Sequence, residues 1–287
     1  MAFVNQNAGD GRFLSERFFM SKHSKRRKKV RLNSNVWLWV CLALGAVCLG
    51  ILGLQKIWGT NSAVSGEDWR PQVGSPPYRV AIDAGHGGDD PGAQGVVQES
   101  QMTAATAAAL TALLEKDPHY IPLNTRESYT TTAKPAERAE YTNQQSPQLL
   151  LSIHGNSAPA GVEASGFECY PAVPGRTWHR ESLYFARLLA EQMQGAGAVL
   201  RGQGGVRYIY YQGQTKHMVE ASCTDVRSEL SFTILEATGC PAVLSEQCFV
   251  TSAEDVARFG DEEGCRRAAR IYYEAICGYF GTQPMPE

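Results

Sequence analysis

From residue 78 the chain alternates short apolar runs with longer segments whose apolar positions recur at helical spacing. "YRVAIDAG" (78–85) is a β-type run stopped by glycine, and "ESQMTAATAAALTALLEK" (99–116) is an alanine- and leucine-rich helix. "HYIPLNT" (119–125) predicts a strand, and "KPAERAEYTNQQ" (134–145) a helix with Pro135 in its first turn. "QLLLSIHGN" (148–156) reads as a buried strand and "GFECYPA" (166–172) as another; "TWHRESLYFARLLAEQMQ" (177–194) is an amphipathic helix. "FTILEAT" (232–238) and "PAVLSEQCFV" (241–250) are strand-like. Residues 252–280 predict a pair of helices or one kinked run, with Ser252 as N-cap and Glu254 and Asp255 in the first turn. "RGQGGVR" (201–207) reads as a mobile loop, and 201–229 yields no assigned element. This alternation predicts an α/β fold over 78–281, a single three-layer domain with a mixed central sheet flanked by helices.

One apolar run does not belong to that domain. Residues 36–54, "VWLWVCLALGAVCLGILGL", hold 19 uncharged residues, and about 20 span a bilayer as a helix. Trp37, Trp39 and Trp58 suit interfacial anchoring. Residues 1–35 carry nine Lys/Arg against two acids, a formal +7, which leaves −9 of the whole-chain −2 for the remainder. Basic flanks stay cytoplasmic, so the pattern predicts a cytoplasmic tail (1–35), a single-pass anchor (36–54), a linker (55–77) and an extracytoplasmic domain (78–281). The linker is Gly-, Ser- and Pro-rich from residue 59. A signal peptide cleaved after the span is the alternative, although "GTNSAVSGEDW" is a poor small-x-small site. The basic run beside a span is matched to anionic lipid and topology rather than to nucleic acid.

Cysteine adds little. Cys41 and Cys48 fall in the apolar run; Cys169, Cys223, Cys240, Cys248, Cys265 and Cys277 are scattered without C-x-x-C, which excludes zinc ribbons and thioredoxin-like motifs. A domain of this size folds on its core alone, so buried free thiols are the default expectation.

The candidate chemistry lies at strand ends. The chain has no G-x-S-x-G elbow, no H-E-x-x-H helix and no P-loop. In α/β sheets, sites form beyond the carboxyl ends of strands. His86 follows the first predicted strand inside "AGHGGDDPG", His154 closes "LLLSIHGN", and Glu246 ends "PAVLSE". Glu99 opens the first long helix. Two imidazoles and one carboxylate are a ligand set for catalytic zinc, and a further carboxylate beside it would be the base. Each residue alone also has a structural reading: Glu99 as a helix-start charge, His154 as a hydrogen-bonded core histidine.

The motifs resolve this choice by likeness. "VAIDAGHGGDDPGAQG", Glu99, "TR" (125–126), "LLLSIHGNSAP" (149–159), "GFECY" (166–170) and "PAVLSEQCFVTSAED" (241–255) resemble, in order, the zinc-dependent N-acetylmuramoyl-L-alanine amidases of the amidase-3 type. The resemblance implies one zinc ion on His86, Glu99 and His154, a catalytic Glu246, and peptidoglycan as the substrate. Two departures stand out: "EQCF" carries Cys248 where the family often has glycine, and "VVQESQM" lacks the charged neighbours common around the family's glutamate. The 201–229 segment matches least, so substrate specificity could lie there.

Supporting roles remain open at this level. Asp83 could orient a metal-bound imidazole or form a strand-end salt bridge; Asn156 could touch substrate or close its loop. Arg126, Arg138, His119, His179 and His217 read as structural or surface residues. No activating partner is identifiable. A bare catalytic domain on an anchor is similar to spore-cortex amidases, which suggests sporulation. The rival readings are a zinc carboxypeptidase or aminopeptidase on wall peptides, and a non-catalytic wall-binding domain.

Overall fold

Parallel strands buried on both faces should be apolar along their whole length, and the central runs here are. The computed structural model describes residues 69–286. In it, strands β1 (Tyr78–Ala84), β2 (Tyr120–Asn124), β3 (Leu149–Asn156), β4 (Glu168–Pro171) and a later strand, Ala242–Phe249, form one five-stranded sheet. Two intervening strands, β5 (Arg207–Gln212) and β6 (Thr215–Glu220), pair separately as a hairpin, so Ala242–Phe249 is β7. The order is β2-β1-β3-β7-β4, with every pair parallel except antiparallel β4–β7. The sheet is therefore mixed, as the pattern predicts. Leu149, Leu150 and Leu151 in β3 are all fully buried because adjacent residues face two different cores.

Those cores define three layers. On one face Val80, Ile82, Leu149, Leu151, Ile153 and Val243 pack under helices α1 (Glu99–Lys116), α3 (His179–Gly195) and, last in the chain, Glu262–Phe280. On the other face Ala81, Leu150 and Leu244 meet Ala139 of α2 (Pro135–Asn143), Ile234 and Leu235 of α4 (Thr233–Ala237), and Ile209 of β5. The C-terminal helical stretch is two helices, α5 (Ala253–Phe259) and α6 (Glu262–Phe280). Ser252 caps the first by accepting from Asp255 N, and Asp261 caps the second by accepting from Gly264 N at 2.7 Å.

Three expectations change. Residues 232–238 are not a strand: Thr233–Ala237 is the short helix α4. The β-branched Thr233 and Ile234 carry the strand signal, but Ile234 and Leu235 are needed together against the sheet's second face. Tertiary burial outweighs the local preference there. The 201–229 segment, read as loop without elements, contains the β5–β6 hairpin, closed by Gly213 (φ +62°) and Gln214. The last part of the linker, 69–77, is docked: Trp69 meets Tyr184 edge-on at 5.9 Å, and the Arg180 guanidinium lies 4.0 Å over the Trp69 ring.

The basic tail 1–35, the apolar run 36–54 and the linker up to residue 68 lie outside the described residues. Among the described residues no helix is long and apolar enough to cross a membrane. The six cysteines outside the apolar run are free thiols, all buried except the partly exposed Cys223.

One buried polar knot joins the layers beneath the site. Asp83, fully buried, accepts from Thr125 Oγ1 at 2.6 Å and Ser152 Oγ at 2.7 Å, and Arg138 Nε of α2 lies 2.9 Å from its Oδ1. Nε sits off the hydrogen-bond line, so the contact is chiefly charge pairing, while Nη1 donates to Ala133 O. Asp83 thus forms the strand-end salt bridge and contacts no histidine. Removing one member of a buried pair strands the other charge. Arg138→Met should lower the unfolding free energy by about 3–5 kcal/mol in urea titrations, with Asp83→Asn added to it recovering part of the loss. A loss below about 1 kcal/mol would show that Asp83 is neutralised some other way.

Candidate metal centre

The glycine-flanked histidine sits where β1 runs out. Gly85 N still donates to Ile153 O at 2.8 Å, which continues the ladder one residue beyond the strand. The chain then turns sharply, with His86 itself at φ +60°. A left-handed non-glycine residue is strained, and such strain collects at functional sites. The turn is held by reciprocal bonds between Gly87 and Asp90, and Asp90 Oδ2 accepts from His86 Nδ1 at 2.8 Å. That bond fixes the imidazole and leaves Nε2 pointing inward. Asp90 Oδ1 accepts from Gly92 N. Asp90, not Asp83, is the residue that orients a site histidine; its place four residues after His86 in "HGGDD" was the available signal.

Glu99 is the point of convergence. As the first residue of α1 it is buried, and its Oε1 lies 3.0 Å from His86 Nε2, 3.1 Å from His154 Nδ1 and 3.0 Å from Gly155 N. Its Oε2 accepts from Ala93 N at 2.8 Å. Burial alone would push this carboxyl up, but the hydrogen bonds and charges of His154 and His86 hold it well below the usual carboxylate range. Burial likewise opposes a charge on His86, yet Glu99 and then Asp90 push it up to about 9. His154 reaches the cluster from the end of β3, where the pairing with β7 shifts register between His154 and Asn156. The two rings meet edge-on, centroids 4.9 Å apart.

The sequence predicts His86, Glu99 and His154 as a ligand set, and the fold brings them together, with one donor atom from each within 4.8 Å of the other two. Two imidazoles and a carboxylate on the wall of an open cleft match the donor set of catalytic zinc. Two neighbours are glycine for lack of space. A Cβ on Gly85 would run into the His154 ring, and one on Gly92 (φ +66°) would lie 2.7 Å from Glu99 Oε2 and 2.8 Å from His86 Cδ2.

Glu246 lies beside this cluster, not in it. In the sheet it is the register partner of His154 on one side and of Glu168 on the other, so all three share the cleft face. Its Oε2 is shut off from solvent without a hydrogen-bond partner. Burial pushes Glu246 up to about 7, assisted by the like charges of Glu99 and Glu168 and opposed by His154 and Lys216. Asn156 lines the cleft, but its amide donates to Glu168 Oε1 at 2.6 Å, and its Oδ1 accepts from Ser157 N. Among the described residues the remaining histidines are elsewhere: His119 on Asp117, His179 on Ala172 O, and His217 on the outer hairpin strand.

The cleft measures about 680 Å³ and is walled in part by Tyr211 and Lys216 of the hairpin, which the pattern left unassigned, with Leu230 and Phe232 after it. The hairpin is tied to the sheet by Arg207, which donates to Glu168 Oε2 at 2.7 Å and to Glu220 Oε1 at 3.0 Å. Arg201 adds a 3.2 Å contact to Glu168.

Fold and site together define an α/β domain with a three-ligand candidate metal centre beside a half-buried carboxyl whose Oε2 has no hydrogen-bond partner. Residues 80–278 match the family model described as N-acetylmuramoyl-L-alanine amidase, and the chain belongs to that family. It is 28% identical over 232 residues to the Haemophilus influenzae protein named "Probable N-acetylmuramoyl-L-alanine amidase AmiB", covering 71% of this chain and 52% of that one. It is 26% identical over 180 residues to the "Sporulation-specific N-acetylmuramoyl-L-alanine amidase" of Bacillus subtilis, covering 62% and 58%. The chain therefore spans little more than half the length of these two relatives. Among solved structures, the catalytic domain of CwlV, an N-acetylmuramoyl-L-alanine amidase from Bacillus (Paenibacillus) polymyxa var. colistinus, superposes with a TM-score of 0.56 at 26% identity. The match covers 72% of this chain and 99% of that one.

Loss of the carboxylate behind a ligating histidine typically costs 10–100-fold in metal affinity. Asp90→Asn should weaken zinc binding by about that factor in chelator-competition titrations. Gly92→Ala should weaken it further, because the new methyl group displaces Glu99 and His86 together.

Proposed function

We propose that this chain hydrolyses the amide joining the lactyl group of N-acetylmuramic acid to L-alanine of the peptidoglycan stem peptide. The observation that carries the reading is the partner-free Oε2 of Glu246, in register with His154 on the cleft wall, within an amidase-family domain. His86, Glu99 and His154 would hold one zinc ion. When bound, zinc lowers the pKa of a water from about 15.7 toward about 7 and polarises the scissile carbonyl.

The protein's own groups account for the proton traffic. Glu246 accepts a proton from the attacking water, whose oxygen bonds to the lactyl carbonyl carbon. As the C–N bond breaks, Glu246 returns that proton to the alanine nitrogen, which leaves as an amine. A carboxyl held near 7 can both take and give a proton at neutral pH, a role worth about 10²–10⁴-fold. Asp90 holds His86 in orientation, and Glu168, bound by Asn156 and Arg207, holds the strand next to Glu246.

We further propose that the domain works outside the cytoplasmic membrane, anchored by residues 36–54. The support is the charge asymmetry about that run and the location of the substrate. A role in sporulation finds support in the kinship with the Bacillus subtilis protein.

Digestion of purified peptidoglycan by the full chain tests the reading. The expected products are new N-terminal L-alanine and glycan stripped of peptide, with loss of both in EDTA and recovery on adding zinc. Release of single amino acids would make the protein a peptidase, and EDTA-insensitive binding without turnover a wall-binding domain. Glu246→Gln should bind zinc normally and lose about 10²–10⁴-fold in rate.

A further inference from the structure

The hairpin wall carries a cation that has no ion pair among the described residues. Lys216 opens onto the same cleft as His86, His154 and Glu246, and among the described residues it has no carboxylate within salt-bridge distance and no side-chain hydrogen bond. Arg138, also on the cleft, is spent on Asp83, and Arg207 on Glu168 and Glu220. Lys216 is also placed rather than loose. Its ammonium lies 5.6 Å over the Phe232 ring, and Phe232 packs edge-on against both Tyr211 and Tyr170, at 5.9 and 5.4 Å. The strand that carries it pairs with β5 from Thr215 to Glu220, and Arg207 bolts β5 to the sheet through Glu168. A cation seated on an aromatic platform and fixed to the catalytic sheet meets one kind of substrate group, an anion.

Resting on the amidase reading above, we infer that Lys216 is a specificity-determining residue that pairs with a carboxylate of the stem peptide beyond the scissile L-alanine. The two halves of the substrate differ in charge: the glycan is neutral, whereas the stem peptide bears carboxylates, one of which is free in some walls and amidated in others. A cationic wall therefore marks the peptide side of the cleft. The ligand class is an acidic peptide, and amidation of its second residue removes the group recognised. Lys134, which also lines the cleft, is the competing assignment.

The experiment uses the full chain with zinc and two soluble muramoyl tetrapeptides that differ only in a free α-carboxylate or a carboxamide on the second stem residue. Wild type should favour the free acid by about tenfold in KM, the size of one well-made charge-assisted contact, with kcat alike for both. Lys216→Met should erase that preference, with any change in kcat falling equally on the two substrates, and Lys216→Arg should restore it. The same contrast should appear without turnover when the two peptides are bound to Glu246→Gln in a calorimeter. Persistence of the preference in Lys216→Met, its absence from wild type, or its loss in Lys134→Met would overturn the assignment while leaving the amidase intact. Cleavage of neither substrate by wild type would instead bring down the amidase reading, and this inference with it.

Discussion

The structure depends on one buried carboxylate shared by four donors. Glu99 takes the imidazoles of His86 and His154 and the backbone N–H groups of Gly155 and Ala93, drawn from the end of β1, the end of β3 and the loop between β1 and α1. Burying a carboxylate is costly unless it is hydrogen-bonded and paired with positive charge. Here both conditions are met by groups that a divalent ion would also require. The constraint works in both directions: the cluster closes the top of the sheet, and the sheet gives the cluster its spacing. Gly85 and Gly92 follow from it, since no side chain fits between these groups.

Two carboxyls on neighbouring elements are driven apart by their surroundings. Glu99, surrounded by donors, is held ionised, whereas Glu246, with one oxygen sealed off and unpartnered at the cleft wall, is pushed up toward neutrality. That divergence would let one site draw both a ligand and a proton carrier from the same residue type, as the proposed mechanism requires. The sheet sets the geometry: His154, Glu246 and Glu168 lie in one row across β3, β7 and β4, so the candidate ligand, the proposed proton carrier and the anchor of the hairpin wall are fixed by a single set of ladder bonds. The polar knot at Asp83 lies one pleat below that row and ties β1 and β3 to α2, whose N-terminus also lines the cleft.

Much of this was legible from local pattern. Continuous apolar runs mark strands buried on both faces, and a histidine or glutamate closing such a run has to emerge at the sheet's carboxyl edge. His86, His154 and Glu246 could be found that way, and Ser252 as a cap, because the relevant neighbours lie within a few residues. Glu99 was found as a helix start, and its role rested on family likeness. The metal set was therefore readable as a set of residues, although its spacing was not.

What the sequence determined on its own was the alternation of elements, the layering of helices on a sheet and the strand-end placement of the site histidines, since these arise from burial periodicity along single segments. What only the tertiary structure decided was every role set by a distant partner. Asp83 faces Arg138 while Asp90 takes the histidine, and Asn156 is committed to Glu168 across the sheet. Thr233–Ala237 turns helical to bury two adjacent apolar residues against one face, and the hairpin at 207–220 becomes a cleft wall because Arg207 reaches Glu168. Local sequence encodes which face a side chain takes; only the folded chain decides what waits there to meet it.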